Sequence, residues 1–317
     1  MSYRVLIATR TFGSTSQKPW EILTEAGCEL IRADMTQELN EEWLIKHLMD
    51  VDGAIIGNVP MSAYVLENAS SLKVVSMHGV GVDHVDLEAA SRLGVVIANC
   101  PGTNDQAVAD LTLGLMIAVA RNIPNVGFEL RDGVWGRHTG NELWKKTLGL
   151  IGFGRIGRGV ANRALGFEMK VLVFDPFIKV EQVDLPGSKL TSFEEVLKEA
   201  DFLSLHAPLN ESTRNMIGET QLAIMKRSAY LINTARGGLV DEQALAKALS
   251  KGQIAGAALD VFVQEPPTNN KLLQLDNVVV TPHFGAHTKE AIERMGIMAA
   301  QNVVQTLLGK QPLHRVQ

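Results

Sequence analysis

Short apolar runs recur along the chain, separated by longer stretches whose apolar residues return at a helical period. Residues 3–9, 29–32, 53–57, 72–77 and 95–98 read as strands, with helices expected between them at 19–26, 40–48, 62–69 and 87–93. A strand apolar at nearly every position is covered on both faces, and strands alternating with helices run parallel, joined by crossovers. Residues 1–99 are thus expected to form a small α/β domain of their own. They hold no nucleotide fingerprint, so their expected task is to build one wall of a cleft.

Asn99-Cys100-Pro101-Gly102-Thr103 is the clearest linker, because Pro and Gly end the strand and Asn104 or Asp105 can cap the next helix. The helix expected over 106–121 is apolar around most of its circumference. It must be covered on most faces, either by crossing between domains or by packing on another subunit. Residues 122–146 are polar and mixed, with Trp135 and Trp144 as anchors, and read as a loop or arm at an interface.

The pattern sharpens over 146–175. An apolar strand at 148–151 breaks into Gly152, Gly154 and Gly157, a helix is expected over 155–165, and a second strand at 170–174 ends on Asp175. This is the βαβ sequence of a dinucleotide site. Gly152 permits the tight turn, Gly154 lets backbone approach a pyrophosphate, and Gly157 lets helix and strand pack closely. The helix N-terminus offers unpaired N–H groups to the phosphates. Asp175, eighteen positions past Gly157, would accept hydrogen bonds from ribose hydroxyls and repel a 2′-phosphate, so NAD is expected rather than NADP.

Alternation then resumes, with strands expected at 201–205, 230–233, 255–259 and 278–281, and helices at 193–198, 219–224, 241–249 and 289–308. The fold class expected is α/β in two domains. A doubly wound Rossmann NAD-binding domain, 100–286, is inserted in a smaller flavodoxin-like substrate domain made of 1–99 and 287–317.

Composition narrows the classes. At 317 residues, 46% hydrophobic and 21% charged, the chain is long enough for two cores. A net charge of −5 argues against nucleic-acid binding, which needs a basic face. No apolar run is long enough to span a membrane and a strand begins almost at Met1, so a cytoplasmic protein without a signal peptide is expected. Cys28 and Cys100 form no C-x-x-C and read as buried free thiols. His283 and His287 share a metal-like spacing, but Pro282 and Gly285 interrupt any helix there and no metal is expected.

Three charged residues stand where strands of the second half end: Arg236, Glu265 and His283. In an open α/β sheet those ends face the ligand crevice. Together the three form a usable set for reducing a 2-oxo acid. A guanidinium clamps the carboxylate and polarises the carbonyl. Histidine gives or takes the hydroxyl proton, and a neighbouring carboxylate favours its imidazolium form and fixes its orientation.

With these residues in place the chain resembles the D-isomer-specific 2-hydroxyacid dehydrogenases, nearest to the D-3-phosphoglycerate dehydrogenase branch. The resemblance is carried by Gly79-Val80-Gly81-Val82-Asp83, Pro101-Gly102-Thr103-Asn104 and the glycine loop. Leu205-His206-Ala207-Pro208-Leu209 with Thr213, Asn233-Thr234-Ala235-Arg236-Gly237, Asp260-Val261-Phe262 with Glu265-Pro266, and Thr281-Pro282-His283 complete it. It implies that Arg236 holds substrate, that His283 is the acid/base with Glu265 as partner, and that backbone at Gly79, Val80 and Gly81 receives the substrate carboxylate. It further implies cofactor contacts at Arg155, Ile156, Asp175, His206, Pro208, Thr213, Thr234, Asp260 and Gly285, and a homodimer formed through the region after Pro101.

The chain departs from the phosphoglycerate pattern at Asn58 and Met77-His78, where that branch places arginines. Arg10, Arg137 and His138 are the cations left to meet a phosphate. The expected function is an NAD-dependent dehydrogenase interconverting a small D-2-hydroxy acid and its 2-oxo acid: D-3-phosphoglycerate, or hydroxypyruvate or glyoxylate on the oxo side. A cleft closing between the domains would exclude water. The alternative from another class is an NAD-sensing, dimeric, corepressor-like regulator of the same fold.

Overall fold

The computed structural model describes residues 2–36 and 39–317. Two units divide the chain, Met1–Asn104 with Ala286–Gln317, and Asp105–Gly285. In chain order the first holds β1 (Arg4–Ala8), α1 (Lys18–Glu25), β2 (Glu29–Arg32), α2 (Glu41–Leu48), β3 (Gly53–Ile56), α3 (Ala63–Glu67), β4 (Val74–Met77), α4 (Leu87–Leu93) and β5 (Val96–Ala98). The second holds α5 (Asp105–Ala120), α6 (Ile123–Arg131), β6 (Thr147–Ile151), α7 (Arg155–Ala164), β7 (Lys170–Phe174), β8 (Ser188–Leu190), α8 (Phe193–Glu199), β9 (Phe202–Leu205), α9 (Glu219–Ile224), β10 (Tyr230–Asn233), α10 (Glu242–Ser250), β11 (Gly256–Leu259) and β12 (Val278–Val280). Then α11 (Lys289–Leu307) returns to the first.

Helix starts follow side-chain capping. Asn40, Ser62, Asp86, Asp241 and Thr288 each accept a backbone N–H from the first turn of α2, α3, α4, α10 and α11.

The first unit is a parallel sheet ordered β2-β1-β3-β4-β5, the flavodoxin-like order. Alternate strand residues serve opposite faces. Val5, Ile7, Ile55 and Val74 pack with Leu23 of α1 and with Met295, Ala299 and Val303 of α11. Leu6, Ala8, Ala54, Ile56, Val75 and Met77 pack with Leu44, Val65 and Ala89 of α2, α3 and α4. The units part after Asn104 and Gly285, close to the expected joints at 99 and 286. The forward shift has a packing cause: Cys100 is fully buried in the first unit's core, its Sγ donating to Met77 O.

The second unit is a parallel sheet ordered β12-β11-β10-β9-β6-β7-β8. Strand order reverses between β6 and β9, the switch point where such sheets bind ligands. One face packs on α5 and α7, the other on α8, α9 and α10. Helix α5 lies against α7 and against β10, β11 and β12, so its apolar circumference is covered inside its own unit. Two elements escape the sequence pattern. The arm contains α6, whose start is hidden because Asn122 turns left-handed (φ 52°) straight after α5 and Pro124 follows. Edge strand β8 is three residues long and only half-buried.

Candidate active site

Register gathers the site. In the second sheet Ile151 pairs with both Phe174 and Leu205, Asn233 with Leu205 and Leu259, and Leu259 with Val280. The next residues, Gly152, Asp175, His206, Thr234, Asp260 and Thr281, therefore stand level along one edge of one unit.

The glycine turn fits a dinucleotide. Gly152 has φ +92°, and a Cβ there would lie 2.6 Å from the carbonyl of His206; a Cβ on Gly157 would lie 2.3 Å from Gly152 O. Gly154 differs: it caps α7, is exposed, and a Cβ would meet nothing within 4 Å. The first and third glycines are thus forced by protein packing, while the second opens onto solvent beside the α7 N-terminus, as a phosphate cradle requires. Arg155 is exposed in the first turn of α7 and Ile156 is half-buried. The Asp175 carboxylate accepts Phe153 N at 2.8 Å and Phe177 N at 3.0 Å, which fixes it beside the turn. Its remaining lone pairs face the requirement of a ribose diol.

Other expected cofactor residues are tied into the protein. His206 Nε2 lies 2.9 Å from Ser204 Oγ, its Nδ1 is buried without a partner, and burial pushes its pKa down to about 3, so the ring is neutral. The Thr213 hydroxyl donates to Pro208 O at 2.7 Å and closes the 208–213 turn. Thr234 is buried, its hydroxyl 3.0 Å from that of Thr112. Asp260 is buried and holds the 281–285 turn: its carboxylate accepts Phe284 N, Gly285 N and the Thr281 hydroxyl, and its carbonyl accepts His283 N. Gly285 is buried, and a Cβ there would crowd Asp260 Oδ2 at 3.1 Å.

That turn presents His283, whose φ of 51° is left-handed. Its Nδ1 lies 2.7 Å from Glu265 Oε2, and the other Glu265 oxygen accepts Phe262 N at 3.1 Å. The hydrogen bond to Glu265 raises the His283 pKa against opposing burial. Burial pushes Glu265 up, but its hydrogen bond and charge interaction with His283, aided by Phe262 N and Arg236, hold it below the usual range. The Arg236 charge acts on both.

Arg236 stands where β10 ends, its Nη1 donating to Ala235 O at 2.7 Å, while Asn233 brackets the turn through Arg236 O and Ala235 N. Gly237 explains the closeness of the two turns, since a Cβ there would come within 1.9 Å of the Phe262 carbonyl carbon. Ser204 and Thr112 support the site without having been singled out by sequence, while Thr281 and Gly237 stood in the motifs that carry the resemblance without a role of their own. The one local signal was glycine directly after the arginine.

In the first unit, Gly79 O accepts Cys100 N at 2.8 Å and Val80 O accepts Asn99 Nδ2 at 2.8 Å, which fixes the loop through Gly81 against β5. Arg10 donates to Met35 O, and Arg137 is exposed. His138 pairs with Glu129 at 2.5 Å. His283 and His287 are not on a helix: the first turns to Glu265 and the second lies near enough to His78 to bear on its charge.

Sheet order, switch point and glycine turn define the second unit as a Rossmann dinucleotide-binding fold. The sequence profile of "D-isomer specific 2-hydroxyacid dehydrogenase, NAD binding domain" matches residues 113–285, more than half of the chain. D-3-phosphoglycerate dehydrogenase of Methanocaldococcus jannaschii is 44% identical over 294 residues, covering 92% of this chain and 55% of its own length. Glyoxylate reductase of Thermococcus litoralis is 43% identical over 85% of this chain and 84% of its own. The crystal structure of the TT0316 protein from Thermus thermophilus matches with TM-score 0.90 and 40% identity, over 99% of this chain and all of that one. This chain belongs to the D-isomer-specific 2-hydroxyacid dehydrogenase family, and its second unit is an NAD-binding domain. It spans about half the length of the phosphoglycerate dehydrogenases it matches.

Proposed function

We propose that the chain is an NAD-dependent dehydrogenase interconverting a small D-2-hydroxy acid and its 2-oxo acid. The observation that carries this reading is the 2.7 Å pair between His283 and Glu265, set at the sheet edge that also bears the glycine turn. The nicotinamide, when bound, supplies or accepts the hydride. In the reducing direction His283 gives its Nε2 proton to the developing alkoxide, because Nδ1 is engaged by Glu265. Glu265 keeps the imidazolium charged and oriented. Arg236 holds the substrate carboxylate and polarises the carbonyl, and backbone at Gly79, Val80 and Gly81 receives the carboxylate. Gly154, Arg155 and Ile156 meet the pyrophosphate at the turn that Gly152 and Gly157 allow to pack so closely, and Asp175 meets the ribose diol. His206, Pro208, Thr213, Thr234, Asp260 and Gly285 shape the rest of the cofactor wall.

The assembly in this reading is a homodimer. Helix α6 buries none of its residues in its own unit, and Phe128 and Trp135 are 61% and 83% exposed. An apolar helix face of this kind needs cover, and a second copy supplies it. No single helix among the described residues is long and apolar enough to cross a membrane. The free thiols Cys28 and Cys100 support a reducing, cytoplasmic setting.

A screen of NADH oxidation with hydroxypyruvate, glyoxylate and pyruvate, repeated with NADPH, tests the reading. Turnover of at least one acid, faster with NADH, is the expected result. Tight NADH binding without turnover of any 2-oxo acid would move the chain to the NAD-sensing regulators.

A further inference from the structure

Glu265 reaches His283 from a loop that the core hardly holds: its neighbours Val263, Gln264 and Pro266 are exposed. The placement of its carboxylate therefore depends on what ties the two ends of the 262–270 loop. Phe262, buried at the near end, donates its N–H to Glu265 Oε1 at 3.1 Å. Beyond it one side chain serves both ends, that of Glu242 in the first turn of α10. Its Oε1 accepts Val263 N at 2.7 Å, and its Oε2 accepts Asn270 Nδ2 at 2.7 Å. Asn270 in turn accepts Leu272 N at 3.0 Å, and Leu272 is fully buried. One half-buried carboxylate thus closes the loop on both sides of Glu265.

An acid in the first turn of a helix ordinarily serves the helix, by complementing its dipole. Here Asp241 already caps α10, accepting Gln243 N and Ala244 N at 3.0 Å each. Both oxygens of Glu242 are turned to the loop instead, each at the short distance of a charge-assisted bond. Glu242 also lies on the segment that leaves Arg236, beyond the turn that Gly237 lets lie against Phe262. The segment bearing the arginine therefore grips the loop bearing the glutamate, and the grip is a side chain that can be altered without touching either.

We propose that Glu242 is a positioning residue of the dehydrogenase: it fixes the 262–270 loop at both ends and so sets the hydrogen bond from Glu265 to His283. The inference rests on the reading of His283 and Glu265 as the acid/base pair, and adds to it a residue that acts through Glu265 and not on the substrate. The charges that bear on His283 are those of Glu265, Asp260 and Arg236. Asp260 is held by its own bonds to the 281–285 turn, so slack in the 262–270 loop is felt first in the distance to Glu265. A slack pair leaves the imidazolium less favoured and less well aimed, while the glycine turn and Asp175 stand on other strands and keep their geometry.

The test exchanges the partners of one bond in the whole chain. Glu242→Gln keeps an acceptor for Val263 N but sets an N–H against the Asn270 amide, and Asn270→Asp sets two carboxylates face to face. Together, E242Q/N270D re-forms the bond with donor and acceptor swapped. Three quantities are read: kcat with the 2-oxo acid turned over in the screen above, NADH affinity by fluorescence, and the titration of the His283 ring by NMR of labelled histidine. Each single variant is expected to lower kcat by about tenfold or more, the cost of a shift somewhat under 1 Å, and to move the His283 titration to lower pH with NADH affinity kept. The double variant is expected to return kcat to within about threefold of the unaltered chain and to restore the titration. Asn270→Ala, which removes one bond without adding a charge, is the milder variant and should move both readouts the same way by less. Variants that melt earlier yet keep kcat and the His283 titration would make Glu242 a brace of the fold and overturn the inference, as would a double variant no better than the singles. An unaltered chain that turns over no 2-oxo acid would remove the catalytic reading, and the His283 titration would still decide whether Glu242 sets the pair.

Discussion

At the scale of the residue, the His283–Glu265 pair gives the firmest expectations. His283→Ala should lower kcat by about 10²–10⁴-fold, the contribution typical of a positioned acid/base, with NADH affinity by fluorescence titration kept. Lost NADH binding would assign His283 to the cofactor instead. Glu265→Gln keeps an acceptor for Nδ1–H but removes the carboxylate charge that strengthens the bond and raises the His283 pKa, so the alkaline fall of the reductive kcat should move to lower pH. An unmoved limb would show that another group titrates there. The stability signs follow the same pair. Raised in the fold, His283 contributes stability below its unfolded pKa that is lost as pH rises through its folded value. Lowered in the fold, Glu265 contributes stability above its unfolded pKa that is lost as pH falls through its folded value. The pair therefore stabilises most between the two folded values.

At the scale of the element, the closeness of strand-end turns to one another governs the site. The β10 turn bearing Arg236 touches the β11 turn bearing Glu265 because Gly237 has no side chain. Gly237→Ala should push those turns apart. An overpacking cost of about 1–3 kcal/mol lowers the melting temperature by several degrees. Displacement of catalytic groups by about 1 Å costs on the order of 10²-fold in kcat/KM. A variant with native melting and native kcat/KM would show that the approach is slack. What the sequence hides at this scale has the same origin. Helix α5 carries a broad apolar surface, and the strands and helix that cover most of it come from far along the chain. Helix α6 read as a loop because it buries nothing within its unit, so no core-facing stripe marks it.

At the scale of the whole molecule, the homodimer we propose rests on Phe128 and its apolar neighbours on the arm. Phe128→Glu should weaken the dimer by about 2 kcal/mol or more, seen as monomer in sedimentation at micromolar concentration, with both units still folded. A dimer unmoved by that change would place the interface elsewhere. The sequence by itself determined the parallel α/β class, the glycine turn with Asp175, and the candidate trio. Periodicity, turn chemistry and spacing are local properties, and a residue at a strand end is visible as such. The tertiary structure decided the rest: that most of α5 is covered within its own unit, and that Asp260 is consumed in holding the His283 turn. Each depends on the register between strands separated by tens of residues, and on which faces distant elements cover; no window of sequence contains either.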